Sequence, residues 1–163
     1  MPDFSRRAVR MLDDDHRATS ALLDDLDRLL AESGRQPPDS AAPGPRALLG
    51  RAAEAIDNEI GAHFTFEEEA LFPLLRDAGE DEICTHLCAD HETLLPLARS
   101  VAERARAGLA EGFDTAAWRA FADAAGQLIE SLRAHIEKED RALLPLLEDT
   151  LSPETDMALA GAR

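Results

Sequence analysis

Residues 63–75 read His63-Phe64-Thr65-Phe66-Glu67-Glu68-Glu69-Ala70-Leu71-Phe72-Pro73-Leu74-Leu75, and the pattern returns at 135–147 as His135-Ile136-Glu137-Lys138-Glu139-Asp140-Arg141-Ala142-Leu143-Leu144-Pro145-Leu146-Leu147. In each copy a His is followed by Glu at i+4, by a second acid at i+5, and by Pro-Leu-Leu starting at i+10. Residues four apart on an α-helix share a face, with Cβ atoms about 5–6 Å apart, so each copy presents an imidazole beside a carboxylate. Such a pair suits a metal ion. A further His precedes each copy, within Asp15-His16 and Asp90-His91. The chain therefore reads as one helical hairpin used twice.

Bulk properties narrow the class. The 163 residues fit a single domain, 1–163, with a core at about 5–150. Tyr is absent, β-branched residues are scarce, and Ala, Leu, Glu, Asp and Arg dominate, which favours an all-α chain. The formal net charge of −16 opposes nucleic acid and anionic membrane surfaces as partners. No apolar run is long enough to span a bilayer, and Met1 to His16 is charged where a signal peptide needs apolar residues. Two cysteines, Cys84 and Cys88, are too few for a disulfide framework, so the expected location is cytoplasmic.

Taken in order, Ser5 to Ser33 carries a heptad seam at Val9, Leu12, His16, Thr19, Leu23, Leu26 and Leu30. Gly34 to Pro45 breaks it as a loop. A second helix is predicted from Arg46 to Asp77, ended by Ala78-Gly79, and a third from Glu80 to Ala107. Gly108 to Gly112 reads as the next connection. Asp114-Thr115 opens a fourth helix running to about Asp149, and the tail 151–163 is expected to be loose. His16, His63, Glu67, His91, His135 and Glu139 all fall on inward seams. Short connections make sequential helices antiparallel, giving an up-down-up-down four-helix bundle with a mid-bundle metal site. With these boundaries His91 and His135 stand about 17 and 21 residues from their shared turn, a mismatch of roughly one helical turn.

Four imidazoles and two carboxylates exceed the four ligands of a structural zinc site. They suit two metals, each taking two His and one oxygen from each of two bridging Glu. Nitrogen and oxygen donors without thiolate match iron or manganese. Buried without a cation, the carboxylates should be driven toward protonation, while the imidazoles should resist charging or pair with them.

The doubled His-x3-Glu, each copy carrying Pro-Leu-Leu and preceded upstream by Asp-His, resembles the signature of the hemerythrin-like (HHE cation-binding) family over residues 5 to 150. The resemblance implies a bundle holding two iron ions joined by an oxo or hydroxo bridge. By that analogy His16, His63, His91 and His135 are terminal iron ligands, Glu67 and Glu139 bridge, and the ligand is O2, NO or peroxide. Oxygen-carrying members add a His one turn before the third-helix ligand and end in His-x4-Asp. Here position 87 is Leu and the fourth helix has His-x3-Glu, so the chain is closer to the four-His, two-Glu members. Reversible binding, turnover of a small substrate, and iron storage or delivery by a non-catalytic module all remain open at this point, as does oligomeric state.

Other polar and aromatic residues have ordinary readings. His86 falls about 140° around the third helix from His91 and reads as a surface His, with Asp90 as a candidate partner. Cys84 reads as a small buried hydrophobe. Glu68, Glu69, Asp140 and the Asp13 to Asp15 run read as a solvated face. Phe64, Phe72 and Trp118 read as packing, Phe66 as a candidate wall of the metal pocket, and Thr19 as a hydroxyl bonded either to its own helix or to a bound ligand.

Overall fold

The apolar seams fold as continuous helices. In the computed structural model, which describes residues 4–162, α1 spans Arg7–Ser33, α2 runs from 43 to 77, α3 spans Asp81–Glu111, α4 runs from 115 to 150 and α5 spans Pro153–Ala162. No strand occurs among the described residues, and no helix is long and apolar enough to cross a membrane. The product is an all-helical bundle in which α1 and α3 each pack on both α2 and α4. Helix ends follow local chemistry. Gly34, Gly79 and Gly112 take φ of 54°, 93° and 80° immediately after or near the last helical turn, a region side-chain-bearing residues avoid. Pro43 opens α2, where its missing N–H is harmless, and the Asp114 carboxylate accepts from the Ala117 N–H at 2.7 Å to start α4.

Two expected boundaries are corrected. Gly108 does not end α3, which continues to Glu111. The glycine is there for space: a Cβ at Gly108 would stand 2.0 Å from the Phe113 ring, which packs edge-on against Trp118. The longer α3 also removes the predicted height mismatch, because His91 then lies 20 residues before Glu111 and His135 lies 20 after Thr115. The tail is not loose either. Ser152 Oγ accepts from the Thr155 N–H, Pro153 follows it, and α5 forms. That helix returns to the start of the chain, where Asp156 accepts from the N–H groups of Arg7 and Ala8, which have no partner within α1, at 2.9 and 2.7 Å, and Leu159 is buried. Glu148 serves Ser5 and Arg6 in the same way, so α1 is capped in trans.

The apolar core is in two parts. One cluster gathers Leu23, Leu26, Ile60, Phe64, Leu94, Trp118, Phe121, Leu132 and Ile136. The other gathers Val9, Leu12, Leu71, Phe72, Cys84, Leu87, Leu143 and Leu147. Along α1 the chain passes from the second cluster to the first, along α2 back again, and the alternation continues through α3 and α4. The six polar seam residues occupy the crossing level in every helix.

Both copies of the repeat carry a widened π-turn that periodicity alone did not predict, at Glu67–Leu71 and Glu139–Leu143. The Phe72 and Leu144 N–H groups donate five residues back, to the Glu67 and Glu139 carbonyls. Pro73 and Pro145 come next. A proline lacks the N–H for an ordinary turn and its ring crowds the carbonyl four residues back, so widening relieves both problems. A third π-turn, Ile56–Ile60, occurs in the first hairpin only.

Both the aromatic contact at Gly108 and the cap on α1 should register in stability. Gly108→Ala should destabilise the protein by about 1–3 kcal/mol although alanine is the better helix former, because Phe113 must leave its aromatic neighbours. Asp156→Ala should cost about 1 kcal/mol by uncapping α1. Urea unfolding of the two variants against wild type measures both.

Candidate metal centre

Each of the four long helices brings its polar residues to one buried layer. His16, His63, His91, His135, Glu67 and Glu139 are all buried, and the two glutamates are fully inaccessible at 0 % exposure. Burial of a carboxylate is costly unless a cation or donors compensate it. Here the nearest groups are imidazole nitrogens. Glu67 Oε1 lies 3.4 Å from His63 Nε2 and its Oε2 lies 3.3 Å from His91 Nε2. Glu139 Oε2 lies 3.1 Å from His16 Nε2 and its Oε1 lies 2.9 Å from His135 Nε2. His91 and His135 meet Nε2 to Nε2 at 3.1 Å.

These atoms form two overlapping four-donor sets, His16, His63, Glu67 and Glu139 on one side and Glu67, His91, His135 and Glu139 on the other, with all donor atoms of a set within 4.8 Å of one another. Each glutamate belongs to both sets. None of the four carboxylate oxygens, nor His16 Nε2, has an aligned hydrogen-bond partner. Four carboxylate oxygens and the His16 nitrogen left without aligned partners, converging with the other imidazoles, suit a cation, so the His/Glu cluster is one that can hold metal.

The acids next to the cluster are not a plain solvated face, which corrects the sequence expectation for Asp15, Glu68 and Asp140. Each imidazole turns its outer nitrogen to a carboxylate. His16 Nδ1–H donates to Asp140 at 2.7 Å, His63 to Asp15 at 3.1 Å, His91 to Glu68 at 2.7 Å and His135 to Asp90 at 3.2 Å. In the neutral imidazole that a metal would bind, this donation from Nδ1 turns the Nε2 lone pair inward. Acids run round the bundle in one sense: α1 supplies α2, α2 supplies α3, α3 supplies α4 and α4 supplies α1. The signal was present in the sequence, as the Asp directly before His16 and His91 and the acid directly after Glu67 and Glu139. One residue along a helix turns a side chain by about 100°, which moves it from the seam to the boundary with the adjacent helix.

A cavity of about 250 Å³ opens on one side of the layer, reaching His16, His63, His135 and Glu139 past Ala18, Thr19, Asn58, Ile60, Leu132 and Ile136. Thr19 lines it, as does part of the third π-turn. The aromatic wall is Phe64, not Phe66. Phe64 stacks on His91 with ring centroids 3.9 Å apart and planes 8° from parallel, whereas Phe66 packs toward the second apolar cluster. His86 is exposed as expected, but Asp90 is taken by His135 and Lys138. Cys84 is buried within the second cluster.

The family model described as the hemerythrin HHE cation binding domain matches residues 7–147, and the chain belongs to that family. No curated protein matches it by sequence.

Electrostatics within the layer correct one further expectation. Burial alone would raise the Glu139 carboxyl, but contact with His135, His16 and His91 holds it well below the usual carboxylate range. Burial lowers His16, yet the Asp140 and Glu139 carboxylates outweigh it and raise the imidazole to about 10. For His63, Asp15 and Glu67 outweigh burial and give about 9, and for His91, Glu139, Glu67 and Glu68 give about 10. Without metal, His16, His63 and His91 thus stand as imidazolium groups against the surrounding carboxylates. Raised imidazoles contribute stability that is full below about 6.5 and lost as pH climbs through 9 to 10, whereas Glu139 contributes above about 4.5 and loses its contribution on acidification. Chelator-stripped protein should therefore show its highest Tm between about pH 4.5 and 6.5 and decline toward pH 10. A melting profile that stays level from pH 6.5 to 10 contradicts this charge arrangement.

Proposed function

We propose that this hemerythrin-family chain holds two iron ions, with His16 and His63 on one, His91 and His135 on the other, and Glu67 and Glu139 spanning both, and that the pair binds or reacts with O2, NO or peroxide. The observation that carries the proposal is the division of each carboxylate between the two four-donor sets, with Glu139 Oε2 toward His16 and Oε1 toward His135, and Glu67 Oε1 toward His63 and Oε2 toward His91. One ion would leave half of these donors buried without a partner. A donor set of imidazole and carboxylate without thiolate supports iron over a structural zinc.

An iron pair supplies the one- and two-electron steps that such ligands require. The chain's own residues do the rest. Nδ1–H donation to Asp15, Glu68, Asp90 and Asp140 keeps the four Nε2 atoms unprotonated and aimed inward when metal displaces the protons. Apolar walls at Ile60, Phe64, Leu132 and Ile136 limit water near the layer while the open side admits a small molecule. That access favours a site that meets an external ligand over a sealed reservoir or purely structural metal. With no fifth His one turn before His91, more coordination is left for a ligand than in a dedicated oxygen carrier.

The up-down-up-down four-helix arrangement of α1 to α4 is part of this reading, as is a single domain in which α5 is an added strap. Two features support it. Residues of the two apolar clusters alternate in order from helix to helix. The outer acid precedes the His in α1 and α3 but follows the Glu in α2 and α4; reversing a helix reverses its rotational sense, so these opposite offsets point the same way round an antiparallel bundle. Free thiols at Cys84 and Cys88 fit a cytoplasmic setting.

Purified protein should contain two iron per chain, and His63→Ala or His135→Ala should reduce this to about one while circular dichroism shows the helices retained. Glu67→Gln should weaken binding of both ions, since it removes a charge shared between them. Optical titration of the reduced protein with O2, NO and peroxide then separates reversible binding from turnover. Protein that repeatedly carries a single zinc and no iron would defeat the proposal.

A further inference from the structure

The cavity beside the layer is larger than a diatomic gas or hydrogen peroxide needs. It measures about 250 Å³, whereas a water molecule takes about 30 Å³ of liquid and an apolar cavity of about 150 Å³ suffices for benzene. Ile60, Phe64, Leu132 and Ile136 give it buried apolar walls. Ala18 and Ala62 also line it and are exposed, so they stand at its mouth, where a longer ligand can extend outward. Space and walls together fit an organic body.

Thr19 adds a neutral polar group to this space. Thr65, Thr85 and Thr93 turn their hydroxyls back on their own helices, donating to the carbonyls of Gly61, Asp81 and Asp90 at 2.9, 2.9 and 2.8 Å. Thr19 does not. It is half-buried, it lines the cavity, and among the described residues its hydroxyl has no partner. Standing three residues after His16 on α1, it shares a face with that imidazole, so a group held by Thr19 lies beside the layer. Charge narrows the class further. Among the described residues that line the cavity none is lysine or arginine, while Asp15, Glu59 and Glu139 are acids, which opposes an anion. A cation would meet the positive charge of bound metal at the inner end.

Resting on the two-iron reading for what occupies the inner end, we propose that this cavity binds an uncharged organic molecule, its apolar body against Ile60, Leu132 and Ile136 and its terminal hydroxyl or hydroperoxy group accepting from the Thr19 hydroxyl. The peroxide chemistry of the site thereby extends to organic hydroperoxides. Thr19 sets the specificity for an oxygen-bearing terminus, and the volume sets the specificity for a body of several carbons.

Isothermal titration calorimetry of the full chain in its oxidised form, with iron counted per chain for every sample, provides the test. Wild type should bind benzyl alcohol with a Kd of about 1 mM or tighter, and benzoate about tenfold more weakly. Thr19→Val keeps the shape of the side chain and removes the hydroxyl, so it should weaken benzyl alcohol about fivefold and leave toluene unchanged. Ala18→Phe and Ala62→Phe should obstruct the mouth and weaken both probes, whereas Ala110→Phe, at an exposed position of α3 outside the cavity, should change neither. Displacement of benzyl alcohol by tert-butyl alcohol and by tert-butyl hydroperoxide ranks the two terminal groups. The iron count is read separately: a chain that does not carry two irons defeats the earlier reading, while Thr19-dependent binding in that same chain still upholds the cavity ligand. No binding of benzyl alcohol to wild type, equal affinity for benzoate, unchanged alcohol binding in Thr19→Val, or full binding in both phenylalanine variants of the mouth overturns the proposal and leaves the two-iron reading intact.

Discussion

Two carboxylates with no solvent access in the middle of a helical bundle form the constraint on which the rest of this protein depends. Their burial is tolerable only beside compensating positive charge, supplied by a bound cation or by protonated imidazole. The four histidines meet either demand. In the absence of metal, His16, His63 and His91 are held charged by the carboxylates around them, and metal must displace those protons. Folding and metal binding thus draw on one set of contacts. The apolar core is consequently two clusters separated by a polar layer, each large enough to keep its end of the bundle closed.

The backbone is adapted to that layer. A π-turn begins at each inward glutamate, and Pro73 and Pro145 stand two residues after these turns, where the widening eases the proline ring against the preceding carbonyls. Glutamate, widened turn and Pro-Leu-Leu are therefore one structural unit, repeated because the hairpin is repeated. The third π-turn has no counterpart in the second hairpin, and Asn58 and Ile60 from it line the cavity. This cavity accordingly meets the layer from one side in a molecule whose ligand pattern is nearly two-fold.

Around the layer, the outer acids close a circuit in which every helix orients an imidazole on its neighbour. Packing of the helices and aim of the nitrogens are coupled, since an acid on one helix reaches its histidine only when the two helices are in register. The coupling also shows why α5 matters at a distance from the cluster: by capping α1 and burying Leu159 it fixes the end of the helix that carries Asp15 and His16.

Much of this was legible in the residues themselves. Seam periodicity identified the four long helices, and the doubled His-x3-Glu together with the upstream Asp15-His16 and Asp90-His91 singled out the six residues that meet in the layer, because polar side chains on inward heptad positions are buried at a cost unless they meet partners there. Local rules sufficed for Gly34, Gly79 and Asp114. Gly108 misled, since a glycine that makes room for the Phe113 ring looks in sequence like one that ends a helix. Ser152-Pro153 is a helix start that becomes worth forming only because Asp156 and Leu159 find α1. Tertiary structure alone decided the partners: that Asp15, Glu68, Asp90 and Asp140 each serve a histidine on the next helix, that Phe64 and not Phe66 walls the cluster, and that Lys138 takes hold of one acid of the four. Periodicity reports which face of its own helix a residue occupies. Which neighbour that face meets depends on the register between helices, and register is set by contacts among residues far apart in the chain.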